Sequence, residues 1–146
     1  RENCIINCGI NSGGYCGNKK KQGYAFYSEG EHTLTDQRDW TEEGVTDLSL
    51  WFYGDPANDP ELLYVVVSNI GGAPVVVVHD DPAAAQINRW TEWVIPLSAF
   101  ADQGINLANV DKISIGFGTR GNMTAPGGSG KMFFDDIRLY QPRTAP

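Results

Sequence analysis

Two adjacent carboxylates, Asp135 and Asp136, stand in the middle of the run GKMFFDDIRLY, residues 130–140. The run reads as a β-strand, rich in aromatic and β-branched residues and bounded by Gly130 and Pro142. Strands disfavour aspartate, and successive side chains face opposite sides of a sheet. One of the two carboxylates must therefore point toward whatever the strand buries. Strict alternation groups Lys131, Phe133, Asp135, Ile137 and Leu139 on one face, and Met132, Phe134, Asp136, Arg138 and Tyr140 on the other. The first group, more aliphatic toward its end, is the expected core face, which directs Asp135 inward. A β-bulge would exchange the roles of the two aspartates. A buried carboxylate needs N–H donors, an arginine or a metal ion. A hard cation held by carboxylate and backbone oxygens and a carboxylate satisfied by loop N–H groups are both open readings.

The aromatic residues suggest a second kind of chemistry. Trp40, Trp51, Tyr53, Tyr64, Trp90 and Trp93 all fall on or beside strand-like runs. In VTDLSLWFYG, residues 45–54, Leu48, Leu50 and Phe52 share one face while Trp51 and Tyr53 share the other. With the first face in the core, Trp51 and Tyr53 lie on an outer or concave face. In RWTEWVIPL, residues 89–97, Trp90 and Trp93 have opposite parity, and Trp93, leading into VIPL, is the better core candidate. Each tryptophan is either core packing or part of a stacking platform. Such a platform suits sugars, whose rings carry an apolar C–H face that packs on an aromatic plane while Asp, Asn and Gln bond the hydroxyls. Trp51, Tyr53, Trp90 and Tyr64 are the candidate ligand residues.

Other chemistries find little in this chain. There is no G-x-S-x-G, and neither His32 nor His79 has a recognisable catalytic partner. GGAP, GTRGN and PGGSG match neither a P-loop nor a dinucleotide fingerprint. No enzymatic activity is expected. The acidic loops GDPANDP, residues 54–60, and VHDDPA, residues 78–83, read as turn chemistry or as a source of oxygen ligands. Cys4, Cys8 and Cys16 suit one disulfide plus one spare thiol in a secreted protein. A zinc site would need a fourth ligand.

These residues need a scaffold, and turn-bounded strand runs recur along the whole chain. They are GYAFYSEGEHTL (23–34), VTDLSLWFYG (45–54), ELLYVVVSN (61–69), PVVVVHD (74–80), RWTEWVIPL (89–97), DKISIGFGT (111–119) and GKMFFDDIRLY (130–140). The GG turn before PVVVVHD predicts a hairpin. SAFADQG (98–104) predicts one helical turn, with Ser98 as N-cap and Gly104 as C-cap. About eight short strands predict an all-β, two-sheet antiparallel sandwich. Residues 1–22 read as a Cys/Gly-rich arm or edge strand, 23–140 as the sandwich, and 141–146 as the start of a linker or tail.

With 146 residues the chain suits one core, and 18 Asp and Glu against 11 Lys and Arg leave a net charge of −7. Nucleic acid and anionic membranes need a basic face, so neither is an expected partner. No segment is long and apolar enough for membrane insertion. No leader-like segment opens the chain, the pattern of a mature or excised domain.

The order of motifs resembles a known family. WTEWVIPLSAF, then INLANVDKISIGFG, then GSGKMFFDDIRLY is similar to the C-terminal half of jelly-roll carbohydrate-binding modules. DLSLWFYGDPANDPELLYVVVSNIGG is similar to their preceding strands, so the resemblance spans roughly Ala25 to Tyr140. These modules belong to the galactose-binding-like superfamily and are appended to secreted bacterial polysaccharide-degrading enzymes. The resemblance implies a polysaccharide or glycan partner stacked on middle-strand aromatics of a concave face, where Trp51 and Tyr53 fall. It also implies a structural Ca²⁺, held by Asp135 or Asp136 with Glu29 or Glu31 as the early-strand partner. An extracellular or cell-surface location follows. The N-terminal arm departs from the family pattern, and its cysteines either tie it down or couple chains. The expected function is therefore non-catalytic carbohydrate binding, with a structural or adhesive module of an extracellular filament or surface assembly as the alternative.

Overall fold

The structure is a computed structural model describing residues 6–9, 27–34, 38–58, 60–118 and 131–142, with backbone only at 6–9, 27–32 and 131. Eight strands follow in chain order: β1 (Ile6–Gly9), β2 (Tyr27–Thr33), β3 (Asp47–Tyr53), β4 (Leu63–Ser68), β5 (Val75–Val78), β6 (Thr91–Pro96), β7 (Lys112–Gly118) and β8 (Lys131–Tyr140). They form two four-stranded antiparallel sheets, ordered β1-β8-β3-β6 and β2-β7-β4-β5. The expected two-sheet sandwich is the fold of the chain.

Alternation builds the core between the sheets. Leu48, Leu50 and Phe52 from β3 and Trp93 and Ile95 from β6 meet Leu63, Val65 and Val67 from β4 and Ile113, Ile115 and Phe117 from β7. Each such side chain contributes about 1.5–3 kcal/mol when taken out of water. Short helix α1 (Ser98–Ala101) inserts Phe100 at the edge of this core, with Leu97, Ile105 and Val110 beside it. Leu97 rather than Ser98 occupies the N-cap position of α1, and no side chain caps it. Asn69, just past β4, pins the chain that follows α1. Its amide donates to the carbonyls of Asn106 and Asn109 at 2.9 and 2.8 Å and accepts from the Asn106 N–H at 2.8 Å.

Both acidic loops are built by turn chemistry. The Asp55 carboxylate accepts the Ala57 N–H, and the Asp81 carboxylate accepts the Ala83 N–H, each at 2.8 Å. Buried Asn58 donates its amide to the Ala85 carbonyl at 2.6 Å, tying the loop after β3 to the 3-10 turn Ala84–Gln86. Asp59 lies outside the described residues.

Cys8 sits in β1, opposite Met132 of β8. Cys4 and Cys16 fall outside the described residues, as does the disulfide expected among the three.

Candidate functional site

The pairing of β8 with β3 changes the expected orientation of the two aspartates. Phe134 lies opposite Phe52 and Leu139 opposite Leu48, all toward the core, but the register shifts between Ser49 and Trp51. A β-bulge absorbs the extra residue at Asp136–Ile137, which together face Leu50, and Asp136 takes a left-handed φ of 55°. Before the bulge Met132 and Phe134 face inward; after it Ile137 and Leu139 do. Asp135 therefore does not point into the core. It lies across from Trp51 on the outer face. Its Oδ1 accepts the Asp136 N–H at 2.7 Å, and Asp136 Oδ1 accepts Arg138 Nε–H at 2.5 Å.

The outer face of this sheet can be read row by row across β6, β3 and β8. The first row is aromatic. The Tyr53 ring lies 5.6 Å from Trp90 and 6.5 Å from Phe133, with interplanar angles of 62° and 69°. Trp90 is 49% exposed, while Trp51 and Tyr53 are half-buried. In the second row Trp51 stands between Glu92 on β6 and Asp135 on β8. In the third, buried Ser49 stands between Val94 and Arg138, and its hydroxyl donates to Glu92 Oε2 at 2.6 Å. An aromatic strip thus borders a band of carboxylates and a guanidinium, a surface able to pack an apolar ring face and hydrogen-bond its substituents.

Of the four aromatic candidates, Trp51, Tyr53 and Trp90 come together here. Tyr64 does not. It lies on β4 in the other sheet, across from Gly116 and Val78, and is only 1% exposed. Ser49, Glu92, Phe133 and Arg138 join the site through pairing across strands, which only the register reveals.

The metal candidates are likewise divided. Asp135 and Asp136 lie in the β3 sheet, whereas Glu29 and Glu31 are in β2 of the other sheet, opposite Gly116 and Ser114. Arg138 engages Asp136, and among the described side chains no three His, Cys, Asp or Glu converge.

His79 serves the core rather than chemistry at this face. Its ring packs edge-on against Phe52 at 5.5 Å and Trp93 at 4.9 Å, and its Nδ1 accepts the Asp81 N–H at 3.0 Å. Burial pushes the imidazole below its ordinary value of 6.5, partly offset by the charges of Asp80 and Asp81. The unfolded chain then takes up a proton that the folded chain refuses. Stability linked to His79 is complete above pH 6.5 and is lost as the pH falls toward the depressed folded value. Urea midpoints at pH 7.5 and pH 5 test this: the wild type is expected to lose more on acidification than His79→Phe, and equal losses would refute it.

No family model matches the chain, and no curated protein matches it. Solved structures do. A family 11 carbohydrate-binding module from Clostridium thermocellum, solved with a β-1,3-1,4-mixed-linked tetrasaccharide, superposes with a TM-score of 0.54 at 16% identity, covering 97% of this chain and 85% of that one. A family 30 carbohydrate-binding module of a Clostridium thermocellum cellulosomal cellulase gives 0.55 at 13% identity, covering 84% of this chain and 72% of that one. An exo-β-agarase gives 0.59 at 13% identity over 84% of this chain, which spans only 20% of the agarase. Among the described residues no helix is long and apolar enough to cross a membrane. At these identities the likeness is one of fold, and the chain has the β-sandwich fold of carbohydrate-binding modules.

Proposed function

We propose that the outer face of the β3 sheet binds a polysaccharide chain, and that the protein is a non-catalytic binding module of a secreted, extracellular protein. The observation that carries this is the Trp90–Tyr53–Phe133 row beside Trp51, itself flanked by Glu92 and Asp135. The neighbouring rings stand 62° and 69° apart, so the strip is not flat. A flat crystalline surface would touch only ring edges, whereas a single soluble chain can turn successive sugars to meet successive rings. The tetrasaccharide bound by the family 11 module makes a soluble β-glucan the first ligand to try. Glu92 and Asp135 do not resemble the paired acids of a glycosidase, which close on one bond from two sides, because Trp51 stands between them.

Affinity electrophoresis through soluble mixed-linkage β-glucan, xylan and galactan tests the reading. Retardation by at least one is expected, and free migration through all three rejects it. The Ca²⁺ implied by the resemblance is a separate proposal. The ion would draw on Asp135 or Asp136 with Glu29 or Glu31 as the early-strand partner, Asp135 being the one of the pair that Arg138 does not engage. EDTA is then expected to lower the melting midpoint and added Ca²⁺ to restore it. A midpoint indifferent to both ends that proposal.

The structural or adhesive alternative draws on edge strand β5, where Val76 and Val78 are exposed on an unpaired margin of the sheet. Sedimentation at rising protein concentration separates it from the first reading, because self-assembly there needs no glycan.

A further inference from the structure

The Asp136–Arg138 pair sits at the edge of the proposed glycan face. Arg138 is in register with Ser49, one row from Trp51. A guanidinium carries five N–H donors. Among the described residues this one spends a single donor, Nε–H to Asp136 Oδ1 at 2.5 Å, and its side chain is 27% exposed. The Nη donors therefore remain for solvent or ligand. A bare arginine in this place would act as an anion site, since its fork matches carboxylate and sulfate. Asp136 cancels that charge, and Asp135 adds a carboxylate in the Trp51 row.

Building on the glycan reading, the geometry points to an uncharged polysaccharide as the ligand class, with Asp136 as the residue that sets this selectivity. Asp136 holds Arg138 by Nε, keeps its remaining donors available to sugar hydroxyls, and stops it from capturing uronate or sulfate groups. The backbone makes the test a clean one. Asp136 has a left-handed φ of 55°, a conformation that asparagine also tolerates. Asp136→Asn therefore removes the charge at little backbone cost.

The probes are mixed-linkage β-glucan, polygalacturonate and a sulfated galactan, titrated into the whole chain at low and moderate salt. The wild type is expected to bind the neutral chain about tenfold or more tighter than either anionic one. In Asp136→Asn the ratio of affinities shifts about tenfold toward the anionic chains, and the gained binding weakens as salt is added. A merely structural role for Asp136 would lower all three affinities together. Wild-type protein that binds polygalacturonate as tightly as glucan overturns the inference. So does a folded Asp136→Asn variant with an unchanged ratio. If Asp136→Asn fails to fold, Arg138→Gln carries the test: glucan binding should weaken several-fold with no gain for anions, and unchanged glucan binding overturns the inference. Loss of glucan binding on Trp51→Ala, together with an unchanged ratio in Asp136→Asn, would leave the glycan reading standing and remove this one alone. Wild-type protein that binds none of the probes removes both.

Discussion

Gly54→Ala is expected to destabilise the protein by about 3 kcal/mol, the upper range for overpacking a close-packed site. Gly54 directly follows β3, and a Cβ built on it would lie 2.1 Å from the Ala85 carbonyl oxygen and 2.6 Å from the Ala85 carbonyl carbon. Both obstacles are backbone, so no side chain can swing aside. Relief means separating two segments that are joined by Gly54 N–H to Ile87 O at 2.7 Å and Asp55 N–H to Ala85 O at 3.0 Å. Each of those bonds contributes about 1 kcal/mol net, and more is lost when a buried partner is left unpaired. For a chain of 146 residues this corresponds to a fall of roughly 10 °C in melting temperature. Urea unfolding of the two proteins measures it directly. A loss under about 1 kcal/mol would show that the loop yields easily, contrary to its hydrogen bonding. The junction matters for the proposed glycan site because it fixes both sides of the aromatic row: Tyr53 directly precedes Gly54, and Trp90 follows three residues after Ile87.

The bulge shows where sequence reading reaches its limit. The strands were legible because β-branched and aromatic runs alternate between turn residues, and the opposite parities of Trp90 and Trp93 correctly separate an exposed ring from a core one. Alternation failed in β8 because it is a property of regular pairing. An inserted residue breaks the phase in the middle of the strand, and nothing within FFDDIR marks which residue is extra. Only the partner strand does, where Ser49 meets Arg138 and Trp51 meets Asp135 with a single residue between them on β3 and two on β8. Two adjacent aspartates are consistent with such a site, since aspartate tolerates the left-handed backbone that Asp136 adopts. Tyr64 was unreadable for another reason. The run LLYVVV is apolar on both faces, so it could show burial but neither the sheet that holds it nor what shares its outer face. Glu92 and Phe133 entered the site only through register with β3, information that no single strand contains.

Trp51→Ala is expected to weaken glycan binding about thirtyfold, equivalent to about 2 kcal/mol at a central aromatic anchor. The magnitude follows from position. Trp51 lies on a middle strand, bracketed by Glu92 and Asp135, so a sugar stacked on its ring has carboxylate acceptors on both sides. Trp90, at the outer end of the aromatic row and 49% exposed, belongs to the rim, where truncation costs less. Trp90→Ala should therefore weaken binding several-fold less than Trp51→Ala. The order of the two effects distinguishes a site centred on β3 from one centred on the β6 edge. Unfolding measurements separate binding from folding. Trp51 is half-buried and outside the core, so its loss should cost far less stability than Phe52→Ala, which empties a fully buried position at about 3–5 kcal/mol. A Trp51→Ala protein that melts near the wild type and still binds β-glucan equally well would move the ligand off the centre of this face. With Tyr64 buried in the other sheet, that result would leave the Tyr53–Trp90 end of the aromatic row as the remaining candidate surface among the four.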